Sequence, residues 1–295
     1  MNGFRLSWQV KIEQQGVLLR EFLKGQHISK AALVDIKFNG GRIEVNQKEE
    51  TVRYVLQAGD EVTVHFPLET PSEGLLAEDL PLNIIYEDDY VLVVNKEPFM
   101  NTIPSREHPT GSVANRLAGY YQKLKLASTV HVVTRLDRDT SGLMLIAKHR
   151  HIHHLLSEQQ KQGDVNRTYQ ALVHGDFRGE GKIEAPIGRK STSIIEREVR
   201  EDGQYACTYY KVMSQQKDFS LVQLKLLTGR THQIRVHMAY LGHPLLGDDL
   251  YGGTVERINR QALHCSSLSF YHPFMHERVS FEAGLAQDMI DVIKG

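Results

Sequence analysis

Cysteine is almost missing from this chain: Cys207 and Cys265 are the only two in 295 residues, and they stand in no paired motif. That leaves neither a disulfide framework nor a cysteine-built zinc site. Long apolar runs are missing as well, so no stretch reaches the length of a bilayer-crossing helix. The opening Met1-Asn2-Gly3-Phe4-Arg5-Leu6-Ser7 lacks the apolar core of a secretory signal. A cytoplasmic monomer with no membrane partner is the expectation. An excess of one charge is also lacking, since 35 Lys and Arg face 36 Asp and Glu. Residues 1–80 hold nine basic against twelve acidic side chains, and the remainder 26 against 24. Binding to nucleic acid needs local positive potential rather than global charge, so the balance argues weakly against RNA and does not exclude it. What is present is ordinary for a folded protein: 41% hydrophobic and 24% charged residues, enough to bury a sizeable core.

Neither internal repeats nor low-complexity tracts stand out. The clearest seam is Pro67-Leu68-Glu69-Thr70-Pro71-Ser72-Glu73-Gly74, polar and broken by two prolines and a glycine. It divides the chain into a small unit over residues 1–70, a linker over 71–80 and a large domain over 81–295. In the small unit, Leu18, Leu19, Phe22 and Leu23 recur at helical spacing, Gly25 ends that helix and Ser29 can cap a second. Two alternating strands follow, at residues 42–46 and 61–66, with turns at Asn39-Gly40-Gly41 and Ala58-Gly59-Asp60. Leu19-Arg20-Glu21-Phe22-Leu23, Ile43-Glu44-Val45-Asn46 and Ala58-Gly59-Asp60-Glu61-Val62 resemble the S4-type RNA-binding module. An accessory domain without RNA contact is the alternative. The local acidity departs from the basic face usual in such modules, and an S4-like RNA-binding domain over residues 1–70 is the expectation.

After the seam strands dominate. They are expected at residues 82–86, 90–95, 131–136, 143–147, 168–174, 221–227, 262–270 and 278–281, with helices over 112–124 and 231–241. Strands outnumber helices and do not alternate with them, so the fold class is α+β with a mixed, largely antiparallel sheet.

The most informative stretch runs from His131 to Ala147. A strand is expected to end in Arg135-Leu136-Asp137, followed by a polar loop and, after Gly142, a second strand. A carboxylate at a strand end is rigidly placed, and neighbouring Arg135 and Arg138 would favour its ionised form. A loop carboxylate capping its own turn through Thr140 and Ser141 is an equally good reading of that stretch alone. Tyr169, near the start of a strand, reads by itself as a core or sheet-surface tyrosine. Arg230, His232, Gln233, Arg235 and His237 crowd one strand-to-helix segment, where a solvated helix face is the bland explanation.

Taken together, Arg135-Leu136-Asp137-Arg138-Asp139-Thr140-Ser141-Gly142, Arg167-Thr168-Tyr169 and Gly229-Arg230-Thr231-His232-Gln233-Ile234-Arg235-Val236-His237 resemble the ordered signatures of the RluA/RluD-type pseudouridine synthases. Ile85-Tyr86-Glu87-Asp88-Asp89-Tyr90, Gly242-His243-Pro244-Leu245-Leu246-Gly247-Asp248-Asp249 and Leu263-His264-Cys265 extend the resemblance over roughly residues 80–282. Thr134 departs from the histidine often found before Arg-Leu-Asp. Glu97-Pro98-Phe99-Met100 is an altered form of a Lys-Pro-x-Gly turn. The resemblance implies an isomerase with no cofactor and no metal, acting on RNA rather than DNA. Ribosomal RNA is favoured over transfer RNA, and a catalytically silent RNA-binding relative is the other alternative. By the same resemblance Asp137 is the catalytic carboxylate, attacking the sugar carbon or the ring or removing a sugar proton. Arg235 is its salt-bridge partner, Tyr169 lies against the uracil, Leu263 packs under the base and Arg135 positions the loop or a phosphate.

Two other patterns carry less. Asp137-Arg138-Asp139 with Asp248-Asp249 imitates the paired aspartates of magnesium-dependent phosphatases, but the strand–helix alternation of that fold is lacking. His149-Arg150-His151-Ile152-His153-His154 is incomplete as a metal site and reads as a solvated, partly cationic helix face. Residues 287–295 carry no clear pattern.

Overall fold

Two larger sheets with separate cores, and one two-stranded antiparallel pair (Ile187–Arg189 with Arg197–Val199), organise the residues that the computed structural model describes, 3–275 and 277–295. In the first, Arg5–Gln9 (β1), Arg42–Val45 (β2), Lys48–Glu49 (β3) and Glu61–His65 (β4) lie in the antiparallel order β1-β4-β2-β3. Val62 and Val64 of β4 are fully buried while their neighbours turn outward, the period-two pattern of a strand with one face on a core. Leu19–Gly25 (α1) and Lys30–Phe38 (α2) cover that face through Leu19, Leu23 and Ile36. Ser29 caps α2 by accepting the Ala32 N–H. The strand pair expected here is thus four-stranded: β1 comes from a segment left unread, and it is the edge strand that β4 needs.

The seam, residues 67–83, holds no helix or strand, yet it is not free. The Glu69 carboxylate accepts from the backbone N–H of Arg150 at 2.7 Å and lies 2.5 Å from His131 Nε2. Further on, the Gly111 N–H donates to Glu78 and Asn115 Nδ2 to the Leu76 carbonyl.

The large unit opens with Ile84–Glu87 (β5), Val91–Lys96 (β6), Val113–Leu124 (α3), His131–Val132 (β7), Ser141–Ala147 (β8) and Arg150–Gln162 (α4). Then come Asn166–His174 (β9), Glu180–Glu184 (β10), Ile187–Arg189 (β11), Arg197–Val199 (β12), Cys207–Gln215 (β13) and Phe219–Leu226 (β14). Gln233–Tyr240 (α5), Leu263–Tyr271 (β15), Arg278–Glu282 (β16) and Gln287–Lys294 (α6) complete it. The main sheet runs β10-β13-β14-β9-β15-β8-β6-β5, with β16 against β15 and β7 against β8. Every pairing is antiparallel except β15 with β8, so the mixed, largely antiparallel α+β fold holds. All of β8 and Val91–Val94 of β6 are buried, as expected for central strands covered on both faces. Among the described residues, no helix is long and apolar enough to cross a membrane.

Four departures from the sequence reading matter. Strand β7 stops at Val132 instead of running to Leu136. The segment between β9 and β14 holds β10 to β13, and residues 287–294 form a helix. The histidine run is no solvated face: His149 stacks on Phe4 at 4.0 Å and His151 on Phe66 at 5.1 Å, both histidines buried. Burial pushes both rings down to about 4, so they pack as neutral aromatics against the small unit.

Candidate active site

Asp137 sits on a loop between β7 and β8, and the loop is held through its backbone. Val133 N–H donates to the Leu145 carbonyl at 2.9 Å, and Thr134 Oγ1 accepts the Leu145 N–H at 2.9 Å. The buried Thr134 hydroxyl thereby takes the place of a strand partner just where β7 ends. Thr102 Oγ1 donates to the Leu136 carbonyl at 2.7 Å and accepts the Leu136 N–H at 3.3 Å. Lys96 Nζ donates to the Arg138 carbonyl at 2.8 Å and to the carbonyls of Glu97 and Met100 at 2.9 Å each. Burial pushes the Lys96 ammonium down to about 7, against the pull of Asp139. In the turn that Lys96 ties down, Phe99 adopts φ 62°, a conformation that favours glycine. Arg260, fully buried, donates to the Asp139 carbonyl at 3.0 Å and pairs with Asp288 of α6.

Gly142 closes the loop. Its φ is +113°, and a Cβ there would lie 2.3 Å from the Cys265 carbonyl oxygen. Only glycine allows β8 to run this close beside β15.

Around Asp137 the charges come from far along the chain. Arg235 Nη1 lies 3.4 Å from Asp137 Oδ2, and His232 Nε2 3.9 Å from the same oxygen. The stronger pair of Arg235 is with Asp248: Nε and Nη2 donate to its two oxygens at 2.7 Å each, and the Asp248 side chain is fully buried. The guanidinium also lies over the Tyr251 ring, 4.9 Å from its centroid. Tyr251 Oη in turn lies 2.8 Å from His232 Nδ1. Burial lowers His232 and outweighs the opposing pull of Asp137. Arg138 pairs with Asp139 instead, and Arg135 is exposed with no carboxylate partner among the described residues. The guanidinium nearest Asp137 is therefore supplied by α5 and not by its sequence neighbours. The imitation of paired metal-binding aspartates is also explained, since Asp137 and Asp248 flank a single guanidinium.

The donor-rich segment leading into α5 is mostly structural. Gln233 to Met238 are all buried, so this helix does not present a solvated face. Gln233 Oε1 accepts the Arg230 N–H and the Thr228 hydroxyl, while its Nε2 donates to the Cys207 carbonyl. His237 bridges Thr208 Oγ1 and the Ala185 carbonyl at 2.9 Å each. Those contacts lock the turn that delivers Arg235 and His232 to the aspartate loop.

A cavity of about 230 Å³ opens here, and Arg135, Asp137, Tyr169, Arg235 and Leu263 all line it. Tyr169 is buried, and its hydroxyl lies 3.5 Å from Arg167 Nη1. Burial drives the phenol well above its ordinary range, which keeps its proton on. Asp137 is the sole carboxylate among the lining residues, which include Arg135, Arg167, Arg230 and Arg235. One anion ringed by cations, beside buried aromatic and aliphatic walls, suits a planar ring carried on a phosphate backbone. Asp248, His232, Tyr251, Thr102, Lys96 and Arg260 had not been singled out as site residues. The sequence signals among them were His232, in the donor-dense segment, and the Asp248-Asp249 pair after a glycine.

Residues 90–240 match the family model described as RNA pseudouridylate synthase. The chain is 55% identical over 278 residues to the "Uncharacterized RNA pseudouridine synthase YjbO" of Bacillus subtilis, covering 94% of this chain and 98% of that one. It is 38% identical to the "Ribosomal large subunit pseudouridine synthase D" of Vibrio cholerae, covering 85% and 82%. Among solved structures it is similar to human RNA pseudouridylate synthase domain containing 1, with a TM-score of 0.59 and 27% identity over 72% of this chain and 85% of that one.

Proposed function

This chain belongs to the RNA pseudouridylate synthase family, and from that premise we propose that it isomerises uridines of large-subunit ribosomal RNA with Asp137 as the catalytic carboxylate. The observation that carries the reading is the cavity in which Asp137 alone supplies negative charge, with Arg235, Tyr169 and Leu263 delivered to it by three other elements. Ribosomal RNA is taken from the substrate named for the Vibrio cholerae relative.

In the reaction the bond between uracil N1 and ribose C1′ breaks, the base turns, and a bond forms between C5 and C1′. The hydrogen lost from C5 is balanced by one gained at N1, so the product is an isomer. Each route open to Asp137, as nucleophile or as base, needs its ionised form. Arg235, itself locked by Asp248, orients that carboxylate. Tyr169 and Leu263 hold the uracil between an aromatic and an aliphatic wall, and Arg135 meets the sugar–phosphate chain. A stacked uridine cannot reach such a cavity, so it is flipped out, at a cost of a few kcal/mol that is lowest in loops and bulges. The small unit over residues 1–70, two helices on a four-stranded sheet, is proposed as an S4-like accessory module joined by the 71–80 linker.

Pseudouridine mapping of total RNA from cells with and without the gene tests this. Loss of specific large-subunit sites is expected. Identical maps, in cells with no second enzyme for those sites, would contradict it.

A further inference from the structure

A second and larger cavity, about 720 Å³, adjoins the one that holds Asp137 and shares Gln160, Arg167, Leu226, Gly229 and Arg230 with it. Its charged lining is wholly basic: Lys161, Arg167, Lys225 and Arg230, with no carboxylate. That is a local exception in a chain of net charge −1. The other large cavities are mixed, one holding Asp35 and Glu69 and another Glu73. Arg167, Lys225 and Arg230 have no carboxylate partner among the described residues. Lys161 pairs only with Glu158, an exposed contact that a phosphate can replace at little cost. Arg167 Nε is buried with no hydrogen-bond partner, and its guanidinium stands on the rim between the two cavities.

An aromatic surface completes the groove. Tyr209 is 44% exposed on the solvent-facing side of β13. Its cross-strand partner on β14 is Lys225, so ring and ammonium stand side by side on one face of the sheet. Leu227, 54% exposed, lines the same wall. A cationic track that follows a backbone, with an exposed ring for a base, is how single-stranded nucleic acid is held without sequence readout.

We propose that this groove binds the single-stranded RNA next to the flipped uridine, with phosphates on Lys225, Arg230 and Lys161 and one unstacked base on Tyr209. Arg167 and Arg230, at the shared rim, take the phosphate of the target nucleotide itself. The proposal rests on the reading that the smaller cavity receives that uridine. It adds where the strand runs and why a chain without net positive charge can hold RNA: the cations are concentrated on one path.

The test measures affinity of the full-length chain for a labelled, short single-stranded RNA with a central uridine, over a range of salt concentrations. Pseudouridine formation is followed in parallel. Each phosphate contact to a single strand contributes about 0.7 to the slope of log affinity against log salt. The double variant Lys161→Gln/Lys225→Gln is therefore expected to bind more weakly and to lower the slope by about 1.4. Tyr209→Ala is expected to lose about tenfold in affinity at unchanged slope, since stacking is not ionic. Lys294→Gln, on the remote helix α6, should bind as the parent does. A double variant with the parent's affinity and slope overturns the groove, as does a parent chain that binds no RNA. The outcomes separate cleanly: a parent that binds through the groove yet makes no pseudouridine refutes the reaction, whereas an active parent indifferent to the double substitution refutes the groove alone.

Discussion

Two of the Arg235 donors point at Asp248 and a third, at a longer 3.4 Å, at Asp137. The buried pair thus fixes the guanidinium, and the guanidinium fixes the cavity carboxylate. Removing one partner of a buried pair leaves the other uncompensated, which costs about 3–5 kcal/mol. Asp248→Ala should therefore lower stability in urea unfolding by that order and abolish turnover as well; unchanged stability would mean the pair is not needed to hold Arg235. Arg235→Ala should reduce kcat by about a hundredfold, the scale of a misplaced reacting group, while RNA affinity changes much less. If affinity falls and kcat does not, Arg235 serves binding alone. At this scale the gathering of Asp137, Arg235, Tyr169 and Leu263 at one cavity was foreseen only through the combined resemblance, since Tyr169 by itself reads as a core or sheet-surface tyrosine and the Asp137 stretch equally as a turn cap. Asp248 was not foreseen there: it reads as half of an aspartate pair imitating a metal site until Arg235 is seen against it. Thr102, Lys96 and Arg260 were equally hidden, because each acts on a backbone carbonyl, and such contacts leave no pattern in sequence.

At the scale of elements, the aspartate loop depends on the close approach of β8 to β15. Gly142→Ala places a Cβ 2.3 Å from the Cys265 carbonyl oxygen at a φ that only glycine adopts freely, so a loss of about 2 kcal/mol or more is expected in thermal unfolding. A fully stable variant would show that the strands part easily. Helix α4 supplies a pH signature. Burial drives His149 and His151 down to about 4 from an ordinary 6.5, so the unfolded chain binds protons on them that the folded chain refuses. Their contribution is complete above about pH 6.5 and is lost as pH falls toward 4. Glu69, Lys148 and His131 face His149, and His154 and His27 face His151. His151→Phe keeps the contact with Phe66 and should flatten the fall of Tm between pH 6.5 and 4. Parallel slopes for variant and parent would remove His151 from this account. Helices α1, α2, α3 and α5 and the central strands were readable from periodicity, whereas α4 was met only as a face for the histidine run. Helix α6 was missed because Met289, Val292 and Ile293 make too short a stripe to stand out in eight residues. Its anchor, Asp288 on Arg260, is a tertiary contact. The overlong β7 was a strand pattern ended early by Thr134, whose hydroxyl serves Leu145.

Across the whole molecule, the small unit and the large one keep separate cores and meet through Phe4 and Phe66 on the buried histidines. The seam was visible as a composition change, but its tie to the large unit was not. Glu69 lies before the expected boundary, yet its carboxylate serves Arg150 and His131 beyond it. A chain starting at Pro67 and one starting at Pro71 should both form pseudouridine, the second melting lower because the Arg150 N–H, and the Thr129 N–H that reaches Glu69 at 3.4 Å, lose their acceptor, a cost of about 1–3 kcal/mol. Equal melting temperatures would assign Glu69 to neither unit.

All of this converges on one side chain, and Asp137→Asn addresses it most directly by removing the charge and keeping the shape. Assayed on a uridine-containing ribosomal RNA fragment, the purified variant should fold and bind RNA as the parent does and form no pseudouridine. Conversion at the parent's rate would contradict the account outright.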